Sequence, residues 1–237
     1  MRQIVKIAAV FMGVFAVCAC VAAFHGENAV DASLTEQQIK QTYTVIIDAG
    51  HGGMDGGAES DGVLEKDINL AVAKKLETLM KAAGYNVIMT RSEDVSLETE
   101  GNTVRARKNS DIRNRLAVIQ KTPSAVFVSI HMNKFPDKKY WGAQVFYSEN
   151  NGESAVLAEK IQTSMKINVA PDNNRAIKPS AGSSYILKNT NAPAVIVECG
   201  FMSNSEELKL LCDENYQKKT AFAVFYGIIN YFNEKDA

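Results

Sequence analysis

The chain reads as a single α/β domain on a twisted, mostly parallel or mixed sheet flanked by helices on both faces. Three observations predict this. Apolar β-branched runs recur along the sequence, and amphipathic helical stretches separate them. Two of the three histidines, His51 and His131, stand at the carboxyl ends of such runs, where open α/β sheets place their chemistry.

The elements follow in order. Residues 1–25 read as a signal peptide or N-terminal membrane anchor, because a short basic start precedes an uncharged apolar run from Ile7 to Phe24. Residues 26–42 are polar and weakly patterned, as in a tether, and residues 43–235 form the folded domain. Thr44 to Asp48 is a buried strand followed by a glycine-rich turn. Asp67 to Ala83 is a helix, with Ile68, Leu76 and Met80 among its apolar stripe and Gly84 as its stop. Tyr85 to Met89 is a strand, Asp111 to Gln120 a helix and Ala125 to Ile130 a strand. Gly142 to Tyr147 is a strand, Ser154 to Ile167 a helix and Tyr185 to Leu187 a short strand. Ala194 to Val197 is the last strand, ahead of helices over Ser205–Leu211 and Gln217–Phe232. Strands alternating with helices imply right-handed crossovers.

Composition narrows the function. A formal net charge of -1 and a pI near 6.3 give no electrostatic case for a nucleic-acid partner. Contact with a membrane is expected only through the N-terminal segment, so the domain works outside the cytoplasm. Cys199 and Cys212 read as core residues, with a disulfide between them left open.

Four separated segments carry the chemistry: Asp48-Ala-Gly-His-Gly-Gly53, Leu64-Glu-Lys-Asp67, Ser129-Ile-His-Met-Asn133 and Val197-Glu-Cys-Gly-Phe-Met-Ser-Asn204. Two neutral imidazoles and one carboxylate, with a position left for water, make the usual catalytic zinc site. Each residue also has a plain structural explanation. His51 can be an incidental turn residue and His131 a strand-end histidine bonded to a carbonyl. Glu65 can simply complement a helix dipole, and Glu198 can serve a salt bridge or a cap. The joint placement at one sheet edge is what favours metal-assisted hydrolysis, with Glu198 as proton acceptor. Asp55 and Asp67 read as supporting or capping groups. The basic cluster Arg105, Arg107, Lys108, Arg113 and Arg115 reads as a solvated helix face. Tyr140-Trp141 reads as core filling, with a sugar or peptide platform as the functional alternative.

With these motifs the chain resembles the zinc-dependent N-acetylmuramoyl-L-alanine amidases of the amidase-3 family, and within it the germination-specific, spore-cortex branch. The similarity runs from about Tyr43 to Phe232, with Ala49 standing where many members have proline. The resemblance implies one zinc ion on His51, Glu65 and His131, and Glu198 as the catalytic glutamate. It also implies peptidoglycan as substrate, with stem peptides removed from N-acetylmuramic acid, en route to muramic-δ-lactam in the cortex. Alternatives are a vegetative cell-wall amidase, or a catalytically weak amidase-like module dependent on a partner. A zinc peptidase or deacetylase is disfavoured by the missing HExxH helix. The sequence carries no wall-binding repeats, and only a short polar connection follows Tyr147, so an extracytoplasmic activator protein is an expected partner. The expected location is the outer face of the cytoplasmic membrane, the cell wall or the intermembrane space of the forespore.

Overall fold

The computed structural model describes residues 43–182 and 184–235; the signal or anchor at 1–25 and the tether at 26–42 lie outside the described residues. The main sheet has six strands in the order β4-β1-β5-β8-β6-β7. They are β1 (Thr44–Ala49), β4 (Asn86–Met89), β5 (Ala125–Asn133), β6 (Gln144–Tyr147), β7 (Lys178–Pro179) and β8 (Ala194–Phe201). β4, β1, β5 and β8 are parallel, whereas β6 runs antiparallel to β8 and parallel to β7, so the sheet is mixed. A two-residue hairpin, β2 (Glu59–Ser60) with β3 (Val63–Leu64), precedes the first helix.

The helices are α1 (Glu65–Ala82), α2 (Val104–Gln120), α3 (Glu153–Asn168), α4 (Tyr185–Asn189), α5 (Ser205–Cys212) and α6 (Glu214–Lys235). Among the described residues none is long and apolar enough to cross a membrane.

The strands read as unbroken apolar runs because both faces of the sheet are covered. Val45, Ile47, Val126, Val128, Ile130, Val195 and Val197 join a large core with Leu76, Leu157, Ile161, Val224 and Ile228 from α1, α3 and α6. The alternate residues Ile46 and Phe127 meet a smaller cluster, with Leu116 and Ile119 from α2 and Ile186 and Leu187 from α4. The second face is therefore less fully covered, and its carboxyl end borders a cavity of about 240 Å3 lined by Asp48, His51, Ser129, His131 and Tyr185.

Four expectations change. Tyr185 to Leu187 is not a strand but the start of α4. Ser184 caps it by accepting from the Leu187 N–H at 3.3 Å, which favours a turn of helix over extended backbone. Its one-sided burial, Ile186 and Leu187 in and Tyr185 out, suits a helix packed on a sheet. α2 starts at Val104 rather than Asp111, because Thr103 Oγ1 accepts from Ala106 N and caps a turn whose side chains are mostly solvated. Cys212 is exposed rather than in the core; Cys199 is buried, and both thiols are free. At β5, the strand continues through His131 to Asn133 instead of stopping at Ile130.

Candidate metal centre

Three elements deliver the ligand-type side chains. His51 stands two residues past β1 on the glycine-rich loop, in a left-handed conformation with φ of 61°. Glu65 is the first residue of α1, and His131 lies within β5. His51 Nε2 is 3.2 Å from Glu65 Oε2, and His131 Nδ1 is 2.9 Å from Glu65 Oε1. One donor atom from each of the three lies within 4.8 Å of the others, so the group could hold a metal ion. The two rings sit edge-on, with centroids 4.9 Å apart.

The surroundings fix each ligand. Asp55 Oδ2 is 2.8 Å from His51 Nδ1 and orients that ring, leaving Nε2 to face Glu65. The supporting role expected of Asp55 is thus met, while its other oxygen pairs with Lys108 at 2.8 Å. Glu65 also accepts from the backbone N–H groups of Ala58 and Met132 and from Asn69 Nδ2. Two glycines provide necessary space. A Cβ on Gly50 would lie 2.2 Å from His131 Nε2, and one on Gly57, at φ of 69°, would lie 2.6 Å from Glu65 Oε2.

The charges agree with a site built around a cation. Burial works against the charged forms of Glu65 and His51. At Glu65 it is outweighed by hydrogen bonds and charge from His131 and His51, which hold the carboxyl well below its usual range. At His51 it is outweighed by Asp55 and Glu65, which raise the imidazole to about 9. A bound metal would displace that proton.

Glu198 follows Val197 on β8 and pairs in register with His131, so both side chains rise from the same face of the sheet. Its Oε2 is shut off from solvent and has no hydrogen-bond partner among the described residues. Burial pushes its pKa up to about 7; His131 and His51 oppose the shift and Glu65 adds to it. An orphaned carboxylate beside a potential cation site can take and return a proton near neutrality.

Arg115 corrects the sequence reading most. It is not part of a solvated face but buried. Its Nη1 donates to Asp48 at 2.5 Å, its Nε to Asp111 at 2.7 Å and its Nη2 to the His51 carbonyl at 2.7 Å. Asp48 also accepts from Ser129 Oγ and Thr90 Oγ1; burial would raise its pKa, but Arg115 and these hydroxyls lower it to about 2. Arg91 donates to the carbonyls of Ala49, Gly50 and Lys66. Two guanidinium forks thus pin the loop that carries His51. Arg107, Lys108 and Arg113 do pair with acids at more open positions. Tyr140 and Trp141 are exposed, so core filling does not describe them.

Arg91 and Asn69 were missed by the sequence reading. Asn69 carried one signal, since an uncharged polar residue four places after Glu65 interrupts the buried stripe of α1. Asp67 makes no contact with the ligand group.

The comparisons point the same way. The family model for N-acetylmuramoyl-L-alanine amidase matches residues 45–230. A germination-specific N-acetylmuramoyl-L-alanine amidase of Bacillus subtilis (strain 168) is 36% identical over 192 residues, covering 81% of this chain and 80% of the relative. The CwlD amidase from Clostridioides difficile, solved in complex with the GerS lipoprotein, is 45% identical with a TM-score of 0.78; the match covers 81% of this chain and 98% of that one. The amidase AmiC2 of Nostoc punctiforme is 28% identical with a TM-score of 0.70, over 81% of this chain and 97% of that one.

Proposed function

As the chain belongs to the N-acetylmuramoyl-L-alanine amidase family, we propose that it hydrolyses the amide between N-acetylmuramic acid and L-alanine with one zinc ion and Glu198 as proton carrier. His51, Glu65 and His131 hold the ion; their mixed nitrogen and oxygen donors and mutual spacing fit zinc. When bound, zinc supplies Lewis acidity towards the amide carbonyl and towards water. Glu198 takes a proton from the attacking water and returns it to the leaving amine nitrogen, so the products are a muramyl carboxylate and a free peptide amine. Asp55 keeps the His51 ring turned, and the Arg91 and Arg115 forks hold its backbone in place. The observation that carries this reading is the orphaned Glu198 oxygen in the same row as His131.

Two finer points belong to the same proposal. The substrate is spore-cortex peptidoglycan, supported by the germination-specific relative and by the 45% identity to CwlD. A lipoprotein-type partner outside the cytoplasm assists the enzyme, supported by the complex in which that neighbour was solved. Mass spectrometry of muropeptides tests the reaction, using purified peptidoglycan incubated with the protein after chelation and after zinc is restored. Stem peptides released only with zinc are expected. Release that persists in chelator would end the zinc assignment, and products cut elsewhere would end the amidase assignment. Vegetative wall digested faster than cortex would favour the vegetative role.

A further inference from the structure

We propose that Arg175 forms a carboxylate-binding subsite for the leaving stem peptide, selecting substrates whose second stem residue carries a free carboxylate. The inference rests on the amidase reading above and deepens it by naming what the enzyme reads beside the scissile amide.

The placement comes from sheet register. His131 on β5 pairs with Glu198 on β8, and Glu198 pairs with Gln144 on β6. Directly paired residues share a face, so the three side chains make one row across the carboxyl edge of the sheet. Arg175 continues that row, its Nη1 donating to Gln144 Oε1 at 3.3 Å and its Nε to the Trp141 carbonyl at 2.8 Å. Its guanidinium lies 4.5 Å from the centroid of the Phe201 ring and 5.7 Å from that of Tyr140. The cation is therefore fixed in direction, and its Nη2 donates to no acceptor among the described residues.

Its charge is also unspent. The arginines and lysines that line the cavity beside His131 and the cavity beside Arg175 are Arg115, Lys139 and Arg175. Arg115 is paired with Asp48 and Asp111, and Lys139 with Asp137. Arg175 forms no ion pair among the described residues, although Asp172 lines the same cavity of about 380 Å3. Glu207 feels its charge, but the Glu207 oxygens are committed to the Gly142 and Phe201 N–H groups. A planar guanidinium fixed by one backbone and one side-chain acceptor, with Nη2 left to donate, is suited to a carboxylate.

The reach fits. Strands are about 4.8 Å apart, so Gln144 stands about 10 Å from His131 along the row. Two extended residues span at most about 7 Å, and a hydrogen bond adds about 3 Å. A carboxylate on the second residue of the stem can thus meet Arg175 while the scissile amide lies between His131 and Glu198. The glycan side of the bond carries neutral N-acetyl sugars, so the unpaired cation marks the peptide side.

Two synthetic substrates test it, an N-acetylmuramoyl-L-alanyl-glutamyl tripeptide with its glutamyl α-carboxylate free and the same compound with that carboxylate amidated. For the native enzyme, kcat/KM is expected to be about tenfold higher for the free acid, mainly through KM. In Arg175→Gln the preference should collapse towards one, and Arg175→Lys should restore part of it. Equal rates of native enzyme on both substrates, or undiminished preference in Arg175→Gln, would overturn the subsite. Amidating the third residue's carboxylate instead should leave the preference intact; its loss there would assign Arg175 to a different carboxylate and overturn the proposal as stated. Calorimetric binding of the two compounds to zinc-loaded Glu198→Gln protein reads the subsite without turnover. If the native enzyme releases no peptide yet Arg175 still governs binding of the free acid, the amidase reading fails and the subsite stands.

Discussion

At the residue scale the site turns on one unsatisfied atom and one close approach. Glu198 Oε2 has no hydrogen-bond partner among the described residues, and burial lifts its carboxyl to about 7. A base must be deprotonated to act, so activity is lost as pH falls through its pKa. A bound cation favours the carboxylate and moves that point downwards. The expected pH profile of kcat/KM therefore has an acidic limb with its midpoint at or below about 7. An activity that stays flat down to pH 4 would remove Glu198 from the role. Gly50 makes a separate prediction, because its α-carbon lies under the His131 ring. Gly50→Ala forces the ring aside, and metal affinity is expected to fall by at least tenfold while the protein stays folded. Titration with a competing chelator, beside a circular dichroism melt, checks both halves.

At the scale of elements, the parts legible in the sequence were those with strong periodicity. β1, β5, β8 and α1 declared themselves because their apolar residues face packed layers on both sides or along one stripe. The four candidate site residues were legible for the same reason, since each stands beside such an apolar run, His51, His131 and Glu198 after one and Glu65 ahead of one. α4 was not, because Tyr185-Ile-Leu187 has strand-like composition and only the Ser184 cap decides for helix. The first two turns of α2 were hidden by Arg105 to Ser110, which give no apolar stripe. Arg115 was misread because its neighbours are solvated cations, whereas its partner Asp48 is 67 residues away in the chain. That pair also sets a pH dependence. Asp48 has a pKa lowered from 3.8 to about 2, so its contribution to stability is present above about pH 4 and is lost as pH falls through about 2. The shift corresponds to about 2 kcal/mol. Glu65 and Asp55 are held low too and act in the same direction. Denaturation with urea at successive pH values is expected to show this loss between pH 4 and pH 2. Asp48→Asn should be less stable at neutral pH and show a shallower acid limb.

At the scale of the whole molecule, an unequally covered sheet explains where function sits. One face is packed by α1, α3 and α6, and gives the domain most of its core. The other is covered only in part, and the His131 end of the row of His131, Glu198 and Gln144 lines a cavity there. Glu65 reaches that row from the start of α1, and His51 reaches it from the loop after β1, which is why candidate ligands distant in sequence converge. The most direct measurement of the central claim is metal content and peptide release in Glu198→Gln, set beside His51→Ala. Glutamine keeps the shape of glutamate but cannot carry the proton. The expected result is one zinc per Glu198→Gln molecule with peptide release reduced by about two to four orders of magnitude, and no bound zinc in His51→Ala. Release at the native rate from Glu198→Gln, or a full complement of zinc in His51→Ala, would contradict it.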